Sequence, residues 1–209
     1  MYLSSFVVCI FFAMLFYIYF LPQEMLDFFL EDTSIIYKNF EKDSFTLTFD
    51  DSPTKYTGEI LDCLKFYNIK AIFFVLSDNI VGYEAIMDRI IGEGHKVANH
   101  GRNDTLHYVL SKEKFELDLL SSDTKLQKWL TYPKYFRPGF GFWNNTMLSI
   151  LKKYKYKTML GNIFPFDSII ENSDINVWYV KRKIHPGCII ILHDRAHTVT
   201  TLHKLLPTI

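Results

Sequence analysis

The chain has 209 residues, 49% of them hydrophobic and 17% aromatic, and its 23 basic residues are balanced by 23 acidic ones. That length suits one domain with a single core, and with no net charge and no basic stripe the electrostatic footprint of a nucleic-acid binder is missing. The three cysteines, Cys9, Cys63 and Cys188, show neither zinc-type spacing nor a disulfide framework and read as core residues.

The run FVVCIFFAMLFYIYFL, Phe6 to Leu21, carries no charge and with its flanks is long enough to cross a bilayer. No basic stretch precedes it and no small-x-small cleavage site follows, so residues 1–22 are expected to be an uncleaved single-pass transmembrane anchor. A buried amino-terminal helix is the alternative, and a cut leader would make the chain secreted. The nearest downstream charges are acidic and say little about orientation. The expectation is a membrane protein whose globular part is lumenal or extracellular. Residues 23–43 read as an acidic and aromatic connector, and residues 44–209 as the globular domain.

From Ser44 onward strands and helices alternate. Ser44 to Asp50 alternates apolar and polar residues and reads as a strand, and Thr57 to Tyr67 as a helix with Ile60, Leu61 and Leu64 at core spacing. AIFFVL (Ala71 to Leu76) is a fully buried strand, Tyr83 to Gly92 a helix, and KVAN a short strand. A long helix is expected from Lys112 to Leu130, capped by Ser111. KYFR leads into Pro138, NTMLSILKKY is helical with Asn144 or Asn145 as its cap, YKTML is a strand, and CIIILHD is a last buried strand followed by a helix. Strands separated by helices imply parallel pairing with right-handed crossovers, hence an α/β sheet or barrel.

In such folds chemistry collects at the carboxyl ends of the strands. The polar residues there are Asp50 and Asp51, His100, Arg137, and His193 with Asp194, and the segment ending near Asp167 joins them. Two adjacent carboxylates repel, and a cation would relieve them: Asp51 could ligate a divalent metal while Asp50 stays ionised as a base for water. A solvated turn is the plain alternative for Asp-Asp-Ser-Pro. His100 and Asp104 are four apart, so one coiled turn would place imidazole and carboxylate on a common face, and with Asp51 they would make three metal ligands with an open position. His107 is a spare candidate, and His95 comes too early in its strand.

With these residues in view, the stretch from Ser44 to Pro207 resembles the NodB-like polysaccharide deacetylases, carbohydrate esterases that include chitin deacetylases. TFDDSP, NHGRND, FRPGFG, FPFDS and IIILHD are similar to that family's five motifs and occur in its order. The resemblance implies a distorted (β/α) barrel with fewer than eight strands, and hydrolysis of N-acetyl groups on a chitin-like or peptidoglycan-like carbohydrate. It implies Asp50 as general base and Asp51, His100 and Asp104 as ligands of a divalent metal, zinc first, with cobalt, manganese or iron as alternatives. It further implies Arg137 as holder of Asp50, the Phe140 N–H as oxyanion donor and His193 as general acid tuned by Asp167. Leu192 would line the acetyl pocket. Trp143, beside the third motif, is a candidate sugar platform or a core residue. No protein partner is indicated.

Three departures stand out. Ser52 replaces the usual glycine and is acceptable where the turn needs no positive φ. Gly101 replaces the usual hydroxyl residue, and Asp104 stands where most members have histidine. Together with the short carboxyl end at LLPTI, these departures motivate a second reading, a membrane-tethered carbohydrate-binding protein that keeps the fold without the activity. A third is an amidohydrolase for another amide.

Overall fold

A computed structural model of the chain describes residues 34–39 and 44–209. The expected transmembrane segment lies outside these residues. Among the described residues no helix is long and apolar enough to cross a membrane.

Six strands form one all-parallel sheet: β1 (Thr46–Ser52), β2 (Ala71–Val75), β3 (Lys96–Asn99), β4 (Lys134–Phe136), β5 (Tyr156–Thr158) and β6 (Ile189–His193). Their order across the sheet is β5-β4-β3-β2-β1-β6. Helices α1 (Thr57–Phe66), α2 (Glu84–Gly92), α3 (Lys112–Leu126), α4 (Asn145–Lys153), α5 (Ser173–Lys183) and α6 (Ala196–Leu205) alternate with the strands. The sheet is curled, in keeping with a (β/α) fold.

The central strands are the ones with near-continuous apolar runs, because a parallel strand covered on both faces has no solvated side. Phe73, Phe74 and Val75 of β2 are wholly inaccessible, as are Leu47 and Phe49 of β1, and the Phe49 and Phe73 rings stack at 5.1 Å. Phe115 and Leu119 of α3, Phe136 of β4, Ile150 and Leu151 of α4 and Tyr156 of β5 form a second cluster. Two helix starts follow the expected chemistry: Ser111 accepts from the Lys114 N–H and Asn144 from the Met147 N–H, each satisfying a donor that the first turn leaves open. Helix α5 has no counterpart in the sequence reading. Its Asn172 cap accepts from the Asp174 and Ile175 N–H groups, but only Asn176, Tyr179 and Val180 are buried, so the apolar periodicity that would reveal it is missing.

The edge strands β5 and β6 are joined by short backbone bridges. Ile36 pairs with Met159, Lys38 with Cys188, and Ile163 with Ile190. The Ile36 N–H donates to the Thr158 carbonyl, and the Asn39 N–H to that of Gly187. Part of the stretch read as connector therefore satisfies backbone groups at both margins of the sheet.

Candidate active site

The polar strand ends converge. Asp50 lies opposite His193 across the β1–β6 pairing, so the two side chains are anchored one strand spacing apart. His100 follows β3, with its N–H donated to the Val75 carbonyl, and Arg137 follows β4, with its N–H donated to Asn99. Asp50, Asp51, His100 and Arg137 are all buried.

Arg137 is the most enclosed of them, 2% exposed, and each arm of its guanidinium is used. Nη1 donates to the Asp50 carboxylate at 2.5 Å and to the Thr48 hydroxyl at 2.9 Å, Nε to the Met159 carbonyl, and Nη2 to the Leu160 carbonyl. Its flat face lies over the Phe74 ring at 3.8 Å. Burial opposes the charge on Asp50, but Arg137, His100 and His193 outweigh it and hold the carboxyl below its ordinary value. Asp50 is therefore a carboxylate held ready in a dry corner.

Asp167, 1% exposed, binds His193 twice, accepting from its backbone N–H at 2.7 Å and from Nδ1 at 2.9 Å. That contact puts a proton on Nδ1 and leaves Nε2 for other work. Burial pulls against the imidazolium, yet the hydrogen bond and charge of Asp167, joined by Asp50 and Asp51, raise the His193 pKa above its usual value. A carboxyl of lowered pKa and an imidazole of raised pKa thus stand side by side.

Asp51 differs from its neighbour. Its backbone is left-handed at φ 66, an uncommon state for a non-glycine residue. Its Oδ2 accepts from Nη2 of Arg195 at 2.6 Å, and its Oδ1 lies 3.7 Å from Nε2 of His100. His100 Nδ1 donates to the Arg137 carbonyl at 2.7 Å, so Nε2 turns towards Asp51 and, at 3.9 Å, Asp50. The repulsion between twin carboxylates is answered here by two guanidinium groups, one for each acid.

As a donor set for a divalent cation, this corner supplies two aligned protein groups, Asp51 Oδ1 and His100 Nε2. Asp104 does not join them: it is exposed and makes no hydrogen bond or ion pair among the described residues. Nor is any group of three or more His, Cys, Asp or Glu placed to hold a metal among those residues. The reason lies in Gly101, whose φ of +92 turns the chain out of any helical course, so the four-residue spacing of His100 and Asp104 does not give a shared face. A Cβ at Gly101 would lie 2.5 Å from Nε2 of His107, so the residue also makes room. His107 is wholly buried, accepts from the Gly139 N–H at 2.8 Å and meets Phe115 and Phe136 edge-on, which ties the third motif to α3.

The remaining residues are placed as follows. Phe140 is 66% exposed with a left-handed backbone at φ 60. Leu192 is fully buried and paired with Phe49. Trp143 is half-buried beside the exposed Phe142, whose ring meets Tyr108 at 6.3 Å. Ser52 is not in a positive-φ conformation, and its hydroxyl donates to Asp194 at 3.0 Å. Asp194 also accepts from the hydroxyls of Thr54 at 2.7 Å and Thr57 at 2.5 Å, which fixes the turn after β1 against β6. This clamp and Arg195 were missed in the sequence; the adjacent hydroxyls at 52, 54 and 57 were its one available signal.

The chain is similar to known proteins in sequence and fold. The polysaccharide deacetylase family matches residues 37–159. A peptidoglycan-N-acetylglucosamine deacetylase of Bacillus cereus is 32% identical over 168 residues, covering 77% of this chain and 79% of the relative. The crystal structure of a peptidoglycan N-acetylglucosamine deacetylase superposes with a TM-score of 0.79 at 26% identity, covering 85% of this chain and 87% of that one. A family 4 carbohydrate esterase pseudoenzyme from Bacillus anthracis shares the fold with a TM-score of 0.76 at 23% identity, covering 85% of this chain and 65% of its own.

Proposed function

Because the chain belongs to the polysaccharide deacetylase family, we propose that it hydrolyses N-acetyl groups on an aminosugar polymer or oligomer of the peptidoglycan or chitin type, with Asp50 as base and His193 as acid. The observation that carries this reading is the cross-strand pair of Asp50 and His193, each with its own buried partner, Arg137 and Asp167. Sugar binding alone requires neither a carboxylate of lowered pKa nor an imidazole of raised pKa beside it.

Asp50 would take the proton of the attacking water, and Arg137 would keep it ionised and oriented until that transfer. His193, its Nδ1–H held by Asp167, would deliver a proton from Nε2 to the departing amine. The left-handed turn at Phe140 would present its N–H to the developing oxyanion. Asp51 and His100 would hold a divalent ion, zinc first and cobalt, manganese or iron otherwise, which when bound supplies polarisation of the amide carbonyl and a more acidic water. Exposed Phe142 and Tyr108, with Trp143, would give the sugar a flat apolar surface. The buried side chain of Leu192 would back the acetyl methyl group. The apolar leader would tether this domain to a membrane, on its lumenal or extracellular side.

The test is acetate release from N-acetylglucosamine oligomers and from peptidoglycan, with and without added zinc, cobalt, manganese or iron, for the wild type and Asp50→Asn. Metal-stimulated release that is lost in the variant is expected; no release with any of the four metals would defeat the proposal. A second reading, an inactive carbohydrate-binding relative, is favoured by one observation, the exposed position of Asp104. Retained oligosaccharide binding without acetate release would select it.

A further inference from the structure

His107 has no part in the chemistry above, yet it borders both the second-motif and the third-motif loop. It lies in the short turn His107–Val109, wholly buried, and its ring meets Phe115 of α3 at 5.8 Å and Phe136 of β4 at 5.4 Å, edge-on in each case. An apolar side chain would fill such a box at no polar cost, whereas an enclosed imidazole must offset its loss of water through its ring nitrogens. Both nitrogens face a polar group. Nδ1 accepts from the Gly139 N–H at 2.8 Å, and Nε2 lies 3.4 Å from Oδ2 of Asp118, one turn after Phe115 along α3. Because a nitrogen that accepts carries no proton, the neutral ring has its proton on Nε2, facing the carboxylate. The same ring and the same carboxylate border Gly101, the residue after His100.

Gly139 is where this contact bears on the site. It opens the turn Gly139–Gly141, in which Phe140 is left-handed. Pro138 has no N–H, so that of Gly139 is the first donor after Arg137, and it goes to His107. The Gly141 N–H returns to the Pro138 carbonyl at 3.0 Å. The Phe140 N–H is thus flanked by two engaged donors, one held within the turn and the other from outside by an imidazole. A Cβ at Gly139 would overlap the Thr105 carbonyl oxygen, so the turn also packs directly on the second-motif loop. We infer that His107, its ring set by Asp118, is a positioning residue that aims the Phe140 N–H and couples the second-motif loop to that turn. This rests on the reading of the Phe140 N–H as oxyanion donor; His107 itself touches no reacting atom.

Acetate release by the full chain from N-acetylglucosamine oligomers, with the metals named above, compares wild type with His107→Leu, His107→Asn and Asp118→Ala. Leucine keeps an apolar filling and loses the acceptor, whereas asparagine leaves a cavity but returns an oxygen near the place of Nδ1. An oxyanion donor acts in the transition state, so His107→Leu is expected to lower kcat roughly tenfold or more with KM within about twofold. His107→Asn should recover most of that rate despite a lower Tm, and Asp118→Ala should fall between. Undiminished kcat in His107→Leu, or a higher kcat in it than in His107→Asn, would show that ring packing is all His107 supplies and overturn the inference. Should His107→Leu fail to fold, Asp118→Ala and nitrogen NMR of the wild-type imidazole decide: wild-type kcat in that variant, or a neutral ring protonated on Nδ1, overturns it. In each of these outcomes acetate release by the wild type leaves the deacetylase reading in place; no release by the wild type would remove both.

Discussion

Asp50 and Asp51 are neighbours in sequence and share a strand end, yet they live in different surroundings. Asp50 sits in the wall of the core, its arginine buried, His193 one strand away and that imidazole fixed by a second buried carboxylate. Asp51 instead meets a half-exposed arginine, with an imidazole 3.7 Å away. The surroundings of Asp50 are thus built into the core of the fold, whereas those of Asp51 include a partly exposed arginine. The three residue departures from the family pattern, Ser52, Gly101 and Asp104, all lie outside the Asp50–Arg137–His193–Asp167 set.

Breaking the inner half should have the largest effects. Arg137→Ala strands a buried carboxylate, which typically destabilises by about 3–5 kcal/mol; thermal unfolding would register it, and unchanged stability would show that Asp50 finds another partner. His193→Ala should lower the acetate-release rate by roughly a hundred- to ten-thousand-fold, while zinc titration stays as in the wild type. An undiminished rate would take His193 out of the chemistry. Asp167→Asn removes the charge that raises the His193 pKa, so the alkaline limb of the pH–rate profile should move to lower pH by about one unit; a limb that stays in place would assign it to another group.

The same shifts predict stability against pH. The His193 contribution is complete below the ordinary histidine value and is lost as pH rises through its raised value, while that of Asp50 is complete above the ordinary aspartate value and is lost as pH falls through its lowered one. Unfolding temperatures across pH, compared between wild type and Asp167→Asn, would show the alkaline arm flatten in the variant. The smallest effect belongs to the rim. Asp104→Ala should change zinc affinity by less than about twofold and stability by less than about 0.5 kcal/mol, as for other exposed, unpaired side chains. A tenfold loss of zinc in that variant would show that the loop after Gly101 folds inward around the ion.

Much of this was legible in the sequence where one physical signal dominated. Unbroken apolar runs located β2 and β6, capping residues located the starts of α3 and α4, and polar residues at strand ends located Asp50, His100, Arg137 and His193. What escaped depended on partners far apart in the chain. The Arg195–Asp51 pair spans 144 positions, and an arginine at the start of a helix reads as ordinary surface. The expected coiled turn from His100 to Asp104 assumed helical spacing, which the backbone of Gly101 prevents. Helix α5 buries polar Asn176 among its few inward residues, so no periodicity announced it.

Arg137 carries one more consequence. It rises from the end of β4 but reaches Thr48 and Asp50 on β1, three strands away in the sheet order, while also touching carbonyls just beyond β5. In a flat sheet that span would be about 14 Å, too far for one side chain, so the contact exists only because the sheet bends. The curvature of the scaffold and the acidity of the base are therefore one variable: whatever straightens the sheet, whether a distant core substitution, pressure or a bound partner, would loosen the guanidinium and let the proton return to Asp50.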